Sequence, residues 1–168
     1  LPNGGAVIVW QGGAAGGQRI FARFIAADGT FATGEQMVNT YTGGQQINPN
    51  LAVLTDGSVV VVWASDGQDG SMQGVYGQRL ANTGAKLGSE FPVNQTTLLN
   101  QRTPTVVALS GGGFVAAWVS ERQLGLDGNG VDTFAVDIFA RKFDAAGVRS
   151  EEHTSELQSR QYLVCRLL

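Results

Sequence analysis

The ten residues Leu54–Trp63, LTDGSVVVVW, decide the fold, because related stretches stand on either side of them. The related stretches are LPNGGAVIVW at Leu1–Trp10 and LSGGGFVAAW at Leu109–Trp118, at spacings of 53 and 55 residues. Each of the three joins a turn containing Gly to an apolar run that ends in Trp. Similarity at a period of about 50 residues is typical of repeat architectures. The sequence therefore predicts tandem copies of one structural unit.

Further matches extend the repeat beyond this stretch. The segment Ile20–Ile25, IFARFI, corresponds to VYGQRL at Val75–Leu80 and to IFARKF at Ile138–Phe143. A turn Gly follows each of the three, and a Val-Asn pair follows the first two. These residues are Gly29, Gly84 and Gly147, then Val38-Asn39 and Val93-Asn94. The chain accordingly holds about three copies of the unit.

Each copy is predicted to form four strands. In the second copy they are Pro49–Leu54, Val59–Trp63, Val75–Leu80 and Glu90–Asn94. Pro is placed at a strand start, where no N–H is needed for the ladder. Thr55-Asp56-Gly57 is a hairpin-type turn sequence. The continuous apolar run of the second strand indicates burial on both faces.

A small sheet that buries both faces needs a neighbour on each side, and radial stacking of four-stranded sheets meets that need. We therefore predict an all-β fold of tandem four-stranded antiparallel sheets, an incomplete β-propeller of about three blades. Residues 1–48 are expected to form a partial blade, 49–100 a complete blade and 101–148 another partial blade. Because propellers have ~4–8 blades, the chain is not expected to close a ring alone.

The last segment, Arg149–Leu168, differs from the rest of the chain. It has no Gly, whereas the first 148 residues hold all 24. Codons for its first part, RSEEHTSELQS, resemble a common short-read sequencing adapter. We therefore interpret residues 149–168 as a non-native, adapter-derived tail of a metagenomic-type fragment that takes no part in the sheets. A genuine polar extension is the alternative.

Composition excludes several functions for the first 148 residues. They hold no His and no Cys, which excludes disulfides, Ser-His-Asp triads and zinc sites made of His and Cys. Their net charge is −3 with scattered Arg, so nucleic acid is not an expected partner. No apolar stretch reaches the ~18 residues of a membrane span. No signal peptide is visible and the first residue is not Met, so a truncated start is expected.

The second copy also carries a family resemblance. Its pattern runs through Gly57–Ser65, Asp66–Ser71, Val75–Arg79, Gly84 and Glu90–Asn94. This pattern resembles repeats of very large secreted bacterial proteins, which often also carry calcium-binding nonapeptide repeats and cadherin-like modules. The resemblance covers essentially all of residues 1–148. It implies an extracellular or cell-surface location, a non-catalytic, adhesin-like role and a calcium-binding context.

Two loops are candidate calcium sites. The first, Ser65–Ser71, offers Asp66 and Asp69 among Gly and polar residues, and Ca²⁺ takes six to eight oxygen ligands. The second, Asp127–Ala135, fits the calcium nonapeptide except at its first position and offers Asp127 and Asp132. The alternatives are a solvated Asp-Gly turn for the first loop and an ordinary long loop for the second.

Two functions remain open at this point. The first is a non-catalytic structural or adhesive module of a secreted bacterial protein, with neighbouring repeats and an extracellular polysaccharide or cell-surface ligand as partners. The second is a carbohydrate-binding or glycosidase-type propeller. Its carboxylate pairs would be Asp66 with Asp69 or Asp132 with Asp137. Trp10, Trp63 and Trp118 could line a sugar site, but each ends a buried run, so we predict that they belong to the core.

Overall fold

The computed structural model describes residues 1–149 and, for the backbone alone, residues 155–157. The regular secondary structure in these residues is all strand, which confirms the predicted all-β class, and none of them forms a helix able to cross a membrane. The strands are β1 (Ala6–Gly12), β2 (Arg19–Ile25), β3 (Gln36–Met37), β4 (Gln46–Val53), β5 (Val59–Asp66), β6 (Gln73–Leu80), β7 (Lys86–Pro92), β8 (Gln101–Ala108), β9 (Phe114–Leu126), β10 (Asp132–Phe143) and β11 (Ser155–Leu157).

The strands form three antiparallel sheets in which spatial order follows chain order. The first sheet is β1-β2-β3, the middle sheet is β4-β5-β6-β7 and the third is β8-β9-β10-β11. Each hairpin connects neighbours directly, as in a meander, so each repeat folds largely from local pairings. This confirms the prediction of tandem antiparallel sheets arranged as an incomplete propeller.

The core consists of two apolar layers, one on each face of the middle sheet. From Val59 to Ala64 every side chain of β5 is fully buried. Val59, Val61 and Trp63 pack against the first sheet. Val60 and Val62 pack against the third sheet, where they meet Phe114, Ala116 and Trp118. Burial on both faces was predicted from the run of Val, and the structure confirms it.

Proline has a different place from the one predicted. Pro49 does not start β4, which begins at Gln46; instead the pairing of β4 with β5 shifts between Ile47 and Asn50. Pro104 occupies the equivalent shift in β8, between Arg102 and Thr105. A bulge leaves a residue out of the ladder, so the missing N–H of Pro is tolerated there.

The expected long loop of the third copy is instead an extension of its hairpin. β9 continues to Leu126 and β10 begins at Asp132, with register pairing along their length. A bulge next to Phe134 absorbs the odd residue. Phe134 and Val136 are exposed on this ribbon, which projects beyond the core. The extra residues therefore lengthen two strands and leave only a short turn.

Part of the tail takes a place in the third sheet. The backbone of Ser155–Leu157 pairs antiparallel with Ala140, Phe139 and Ile138 of β10. The expectation that the tail stays apart from the sheets is therefore wrong for these three residues. An open strand edge accepts any extended segment, because its N–H and C=O groups are unpaired. The adapter origin of the tail stays a prediction, and the rest of residues 150–168 lies outside the described residues.

Candidate functional site

The alternation of antiparallel strands places one set of connections at a single end of the sheets. This loop face carries the turns β1–β2, β5–β6 and β9–β10 together with the connectors between sheets, residues 38–45 and 93–100. All four predicted metal ligands lie on it, in the β5–β6 and β9–β10 turns or at the ends of those strands. The loop face is therefore where the candidate sites must be examined.

The two aspartates of the middle sheet already have partners in the protein. Asp66 Oδ1 accepts a hydrogen bond from Gln73 Nε2 at 2.9 Å. Asp69 Oδ1 accepts one from the Ser71 backbone N–H at 3.1 Å, and its Oδ2 lies 3.5 Å from Asn94 Nδ2. The bond from Ser71 lies within the turn, and the contact with Asn94 joins the turn to the connector between the middle and third sheets.

The two aspartates of the third sheet occupy the tip of its extended hairpin. Asp127 Oδ1 accepts hydrogen bonds from the backbone N–H groups of Asn129 and Val131, at 2.8 and 2.9 Å. The N–H of Val131, followed by that of Asn129, lowers the pKa of the Asp127 carboxyl. Asp132 accepts from Gln123 Nε2 at 2.6 Å. The nonapeptide match thus folds as an ordinary hairpin turn and the first residues of β10.

Residues 1–149 contain no group of three or more His, Cys, Asp or Glu side chains that could hold a metal ion. Carboxylates supply part of a calcium shell, and backbone carbonyls and water supply the remainder. Calcium binding at these turns stays a prediction.

A buried amide pair joins the first sheet to the middle sheet. Asn39 Oδ1 accepts from the Ile20 backbone N–H at 2.8 Å, and Asn39 Nδ2 donates to Gln46 Oε1 at 3.2 Å and to the carbonyl of Tyr41 at 2.9 Å. Gln46 Nε2 donates to the carbonyl of Gly43 at 2.8 Å. Because Asn39 and Gln46 are both fully buried, these bonds fasten one sheet to the start of the next.

The same pair recurs at the next junction. Asn94 Oδ1 accepts from the Val75 N–H at 2.7 Å, and Asn94 Nδ2 donates to Gln101 Oε1 at 3.2 Å. Gln101 Nε2 donates to the carbonyl of Leu98 at 2.8 Å. Sequence reasoning noted the Val-Asn match but missed the glutamines. The signal was present, because Gln46 and Gln101 are identical residues 55 positions apart.

A groove of about 510 Å³ opens on the loop face beside the first junction. We call it the first groove. It lies between the connector of the first sheet and the outer half of the middle sheet. This position places three hydroxyl side chains, two amides and one opposite-charge pair around one space. Its lining is Thr40, Tyr41, Gln68, Gln78, Lys86, Gly88, Ser89 and Glu90.

The charged groups of the first groove are held by neighbouring elements. Glu90 accepts hydrogen bonds from the Thr40 backbone N–H at 2.6 Å and from the Gln68 side-chain amide. Lys86 Nζ donates to the carbonyl of Asn39 at 3.3 Å, and partial burial lowers the pKa of this ammonium group. Burial, with Asp69 and Glu90 nearby, raises the pKa of the Tyr76 hydroxyl to about 12.

The equivalent position at the second junction is more aromatic, and it adjoins a further cleft of about 450 Å³ that shares Thr96, Ser120 and Phe139 with it. This second groove encloses about 140 Å³ and is lined by Gln95, Thr96, Trp118, Ser120, Phe139 and Arg141. Thr96 replaces Tyr41 of the first groove, and Arg141 replaces Gln78. Arg141 Nη1 donates to the carbonyl of Val93 at 2.8 Å, and its guanidinium lies 5.9 Å from the Trp118 ring centroid.

The tryptophans mostly occupy the core, as predicted. Trp63 is fully buried and Trp118 nearly so. Trp10 is half-buried and stacks on Phe21 with ring centroids 5.9 Å apart. The three do not form one aromatic surface, because Trp63 and Trp118 lie within separate layers between sheets.

The members of the proposed Asp132–Asp137 carboxylate pair each bind a different partner. Asp137 forms an ion pair with Arg122 at 3.5 Å, whereas Asp132 belongs to the hairpin tip and bonds Gln123. A general acid of a glycosidase needs a raised pKa. The carboxyls with a clearly displaced pKa all move downward, as a result of hydrogen bonds from their own turns or neighbouring strands. They are Asp28, Asp56, Glu121 and Asp127.

Comparisons with known proteins support the fold alone. No family model and no curated protein matches the sequence. The structure is similar to an endo-arabinase from Bacteroides thetaiotaomicron VPI-5482, with a TM-score of 0.53 and 14% sequence identity. The match covers 93% of this chain but only 59% of the arabinase chain. At this identity the likeness shows a shared propeller-type arrangement of sheets.

Proposed function

We propose that the chain is a non-catalytic structural and adhesive module of a large secreted bacterial protein, located outside the cell or at its surface. In this role its repeats pack on one another and its loop face binds an extracellular polysaccharide. The observation that carries the proposal is the buried Asn-Gln pair, which recurs with the same partners at both junctions. In a modular array each repeat contacts its neighbours, so the same contact between adjacent repeats is expected to recur.

The carboxylates of the loop face support a non-catalytic role. Asp66, Asp69, Asp127 and Asp132 each accept hydrogen bonds from their own loop or hairpin. A catalytic carboxyl must instead be free to reach a glycosidic oxygen or a water molecule. In this arrangement the four groups shape turns.

The outer faces of the end sheets support packing against further repeats. Ile8 is 46% exposed, whereas Val61, its equivalent in the middle sheet, is 0% exposed. Val119 at the other end is half-buried, although Ala64 at the equivalent position is fully buried. A neighbouring sheet of the same kind would bury both faces, so other repeats of the same chain are the proposed partners.

Calcium belongs to this proposal as a stabilising ion at the β5–β6 and β9–β10 turns. A ligand that binds only the folded state adds about 2.7 kcal/mol at a hundredfold excess over its dissociation constant. Millimolar Ca²⁺ should therefore raise the melting temperature, and a chelator should lower it. In the double variant Asp127→Ala with Asp132→Ala, Ca²⁺ should raise the melting temperature by less than it does in the unchanged chain. A melting temperature that does not change with Ca²⁺ would contradict calcium binding at these turns.

The experiment that tests the main proposal measures binding and hydrolysis together. The purified chain is incubated with soluble arabinan, xylan, mannan and β-glucan, and both retardation in affinity electrophoresis and release of reducing ends are measured. The proposal expects retardation by at least one polymer without reducing-end release. Hydrolysis above the level of a heat-denatured sample would contradict the non-catalytic assignment.

A glycosidase-type propeller is the second candidate, favoured by the likeness in shape to an endo-arabinase. On this alternative the chain contributes part of a sugar-processing site. It predicts reducing-end release from arabinan and its loss when one carboxylate of a pair, Asp66 or Asp69, is changed to Asn. The main proposal predicts no activity to lose, so one assay separates the two.

A further inference from the structure

The floor of the first groove holds an amide whose acceptor is unused. Gln78 is fully buried on β6, and its Nε2 lies 3.0 Å from the carbonyl of Arg79 and 3.2 Å from that of Gly88. Because a carbonyl accepts and cannot donate, these contacts fix the orientation of the amide. Gln78 Oε1 then has no hydrogen-bond partner among the described residues. This oxygen exposes less than 1 Å² of surface, so a ligand in the groove would lie over the amide without reaching Oε1.

The groove around this amide has balanced charge. Lys86 supplies one cation and Glu90 one anion, while Thr40 and Ser89 supply hydroxyl groups. An ionic ligand would meet one charge of its own sign, so the lining favours neither anions nor cations. A neutral ligand rich in hydroxyl groups can both donate to Glu90 and accept from Lys86. Tyr41, half-buried at the rim, adds an aromatic ring.

We propose that the first groove is a binding site for a neutral sugar residue of a polysaccharide, with sugar hydroxyls donating to Glu90 and accepting from Lys86 and the sugar ring lying against Tyr41. This inference rests on the proposed function and specifies its ligand class. The volume of about 510 Å³ lies within the range of ligand clefts and accommodates a single sugar unit with its linkages. The second groove has Thr96 at the position of the tyrosine, so it offers no equivalent ring for a sugar to lie against.

The two junctions give a matched pair of variants. Tyr41→Ala removes the ring from the first groove, and Thr96→Ala changes the equivalent residue beside the second groove. Both positions are in connectors rather than in strands, so neither change touches a ladder. Ser89→Trp adds a third variant that fills the exposed mouth of the first groove without altering the core. Circular dichroism and a thermal melt of each variant verify that it is folded.

Binding is measured with the whole chain by affinity electrophoresis and isothermal titration. The neutral probes are arabinan, xylan, mannan and β-glucan; polygalacturonate and chitosan are the acidic and basic probes. We expect at least one neutral polymer to bind, with an affinity reduced about tenfold or more by Tyr41→Ala and by Ser89→Trp. Thr96→Ala should bind as the unchanged chain does.

Three outcomes would overturn the assignment, and they separate it from the proposed function. Neutral-polymer binding that survives Tyr41→Ala and Ser89→Trp would leave the adhesive function standing but place the sugar elsewhere. Tighter binding of polygalacturonate or chitosan than of every neutral polymer would contradict the neutral ligand class. Absence of binding to all six polymers would overturn both the site and the polysaccharide-binding function.

Discussion

The middle sheet and the two end sheets share one repeat sequence pattern but differ in burial. Along β5 all side chains from Val59 to Ala64 are buried. Along β1 and along the first half of β9, burial alternates, or nearly so, with every second residue. The apolar residues themselves are similar in the three strands. The difference therefore comes from neighbours: the middle sheet has one on each side, and each end sheet has one on a single side.

This comparison shows that the repeat sequence is suited to an internal position in an array. In a repeat protein each unit contacts only its neighbours, and stability is approximately a sum of unit and interface contributions. The middle sheet contributes to two interfaces and each end sheet to one. Changes of equal chemistry should consequently have larger effects in the middle sheet.

The largest expected effect is at the tryptophans. Trp63→Ala should lower the free energy of unfolding by about 3 to 5 kcal/mol, because it opens a cavity in a fully buried layer. Trp10→Ala, at the equivalent half-buried position, should cost about 1 kcal/mol. Urea unfolding followed by intrinsic fluorescence and circular dichroism measures both. Equal losses would show that the first sheet is covered in solution by another molecule.

The next effect should be the same at both junctions. Asn39→Ala and Asn94→Ala each leave a backbone N–H and a buried glutamine amide without their partner, at a cost of about 1 to 3 kcal/mol. Because the two pairs have the same hydrogen bonds, the two losses should agree. A loss of stability at one junction alone would contradict the proposal that the Asn-Gln pair has the same role at both junctions. Differential scanning calorimetry gives the comparison directly.

A smaller effect concerns the bulge in the first strand of the middle sheet and of the third sheet. Asn48 and Thr103 hold equivalent positions with φ of 55° and 53°. Asn tolerates the left-handed region, whereas a β-branched residue is strained there. Thr103→Asn should stabilise the chain by about 1 kcal/mol, and Asn48→Thr should destabilise it by a similar amount. Chemical denaturation tests the sign. Destabilisation by Thr103→Asn would show that Thr103 makes a compensating contact.

The smallest effect is an acid dependence that arises from the Arg102–Glu121 ion pair of the third sheet. Hydrogen bonds from Asn100 and then Arg102 lower the pKa of the Glu121 carboxyl below its ordinary 4.5. The resulting stability is present above pH 4.5 and is lost as the pH falls through the lowered pKa. The middle sheet has Ile47 in place of Arg102. Because the pair is partly exposed, its contribution should be below about 1 kcal/mol.

The test compares unfolding at pH 7 and pH 3. Glu121→Gln should be less stable than the unchanged chain at pH 7 and nearly equal to it at pH 3. Asn100→Ala, which removes the shortest hydrogen bond to the carboxylate, should act in the same direction. A constant difference at both pH values would assign the loss to packing and not to charge.

The sequence was sufficient for the repeat and for the middle sheet. The run Val59–Trp63 indicated burial on both faces, because continuous apolar strands need cover on each side. The sequence was not sufficient to predict the extended hairpin. Gly125 and the Asp-Gly turn are typical of a loop, although the residues around them pair as strands β9 and β10. Likewise β7 runs over Lys86–Pro92 and not over Glu90–Asn94, since Val93 and Asn94 lie beyond its end in the connector.

The candidate site depended on contacts that a sequence does not contain. The aspartates were found from composition, but their hydrogen bonds within the turns follow from local geometry. The first groove brings Thr40 and Glu90 together across 50 residues, and only the packing of two sheets creates that contact. The buried glutamines could have been found, because comparison of the copies at an offset of 55 residues displays them.

The Asn-Gln pair has a consequence for how such proteins can grow. Both members lie within one connector or at its end, seven positions apart along the chain. A gene duplication of one 55-residue period therefore copies a complete Asn-Gln pair, which includes the residues that join the new sheet to the next one. An array built in this way can lengthen by unequal recombination without new mutations at each seam. The 55-residue stretch that is duplicated in the gene is also the stretch that carries the contacts between neighbouring sheets.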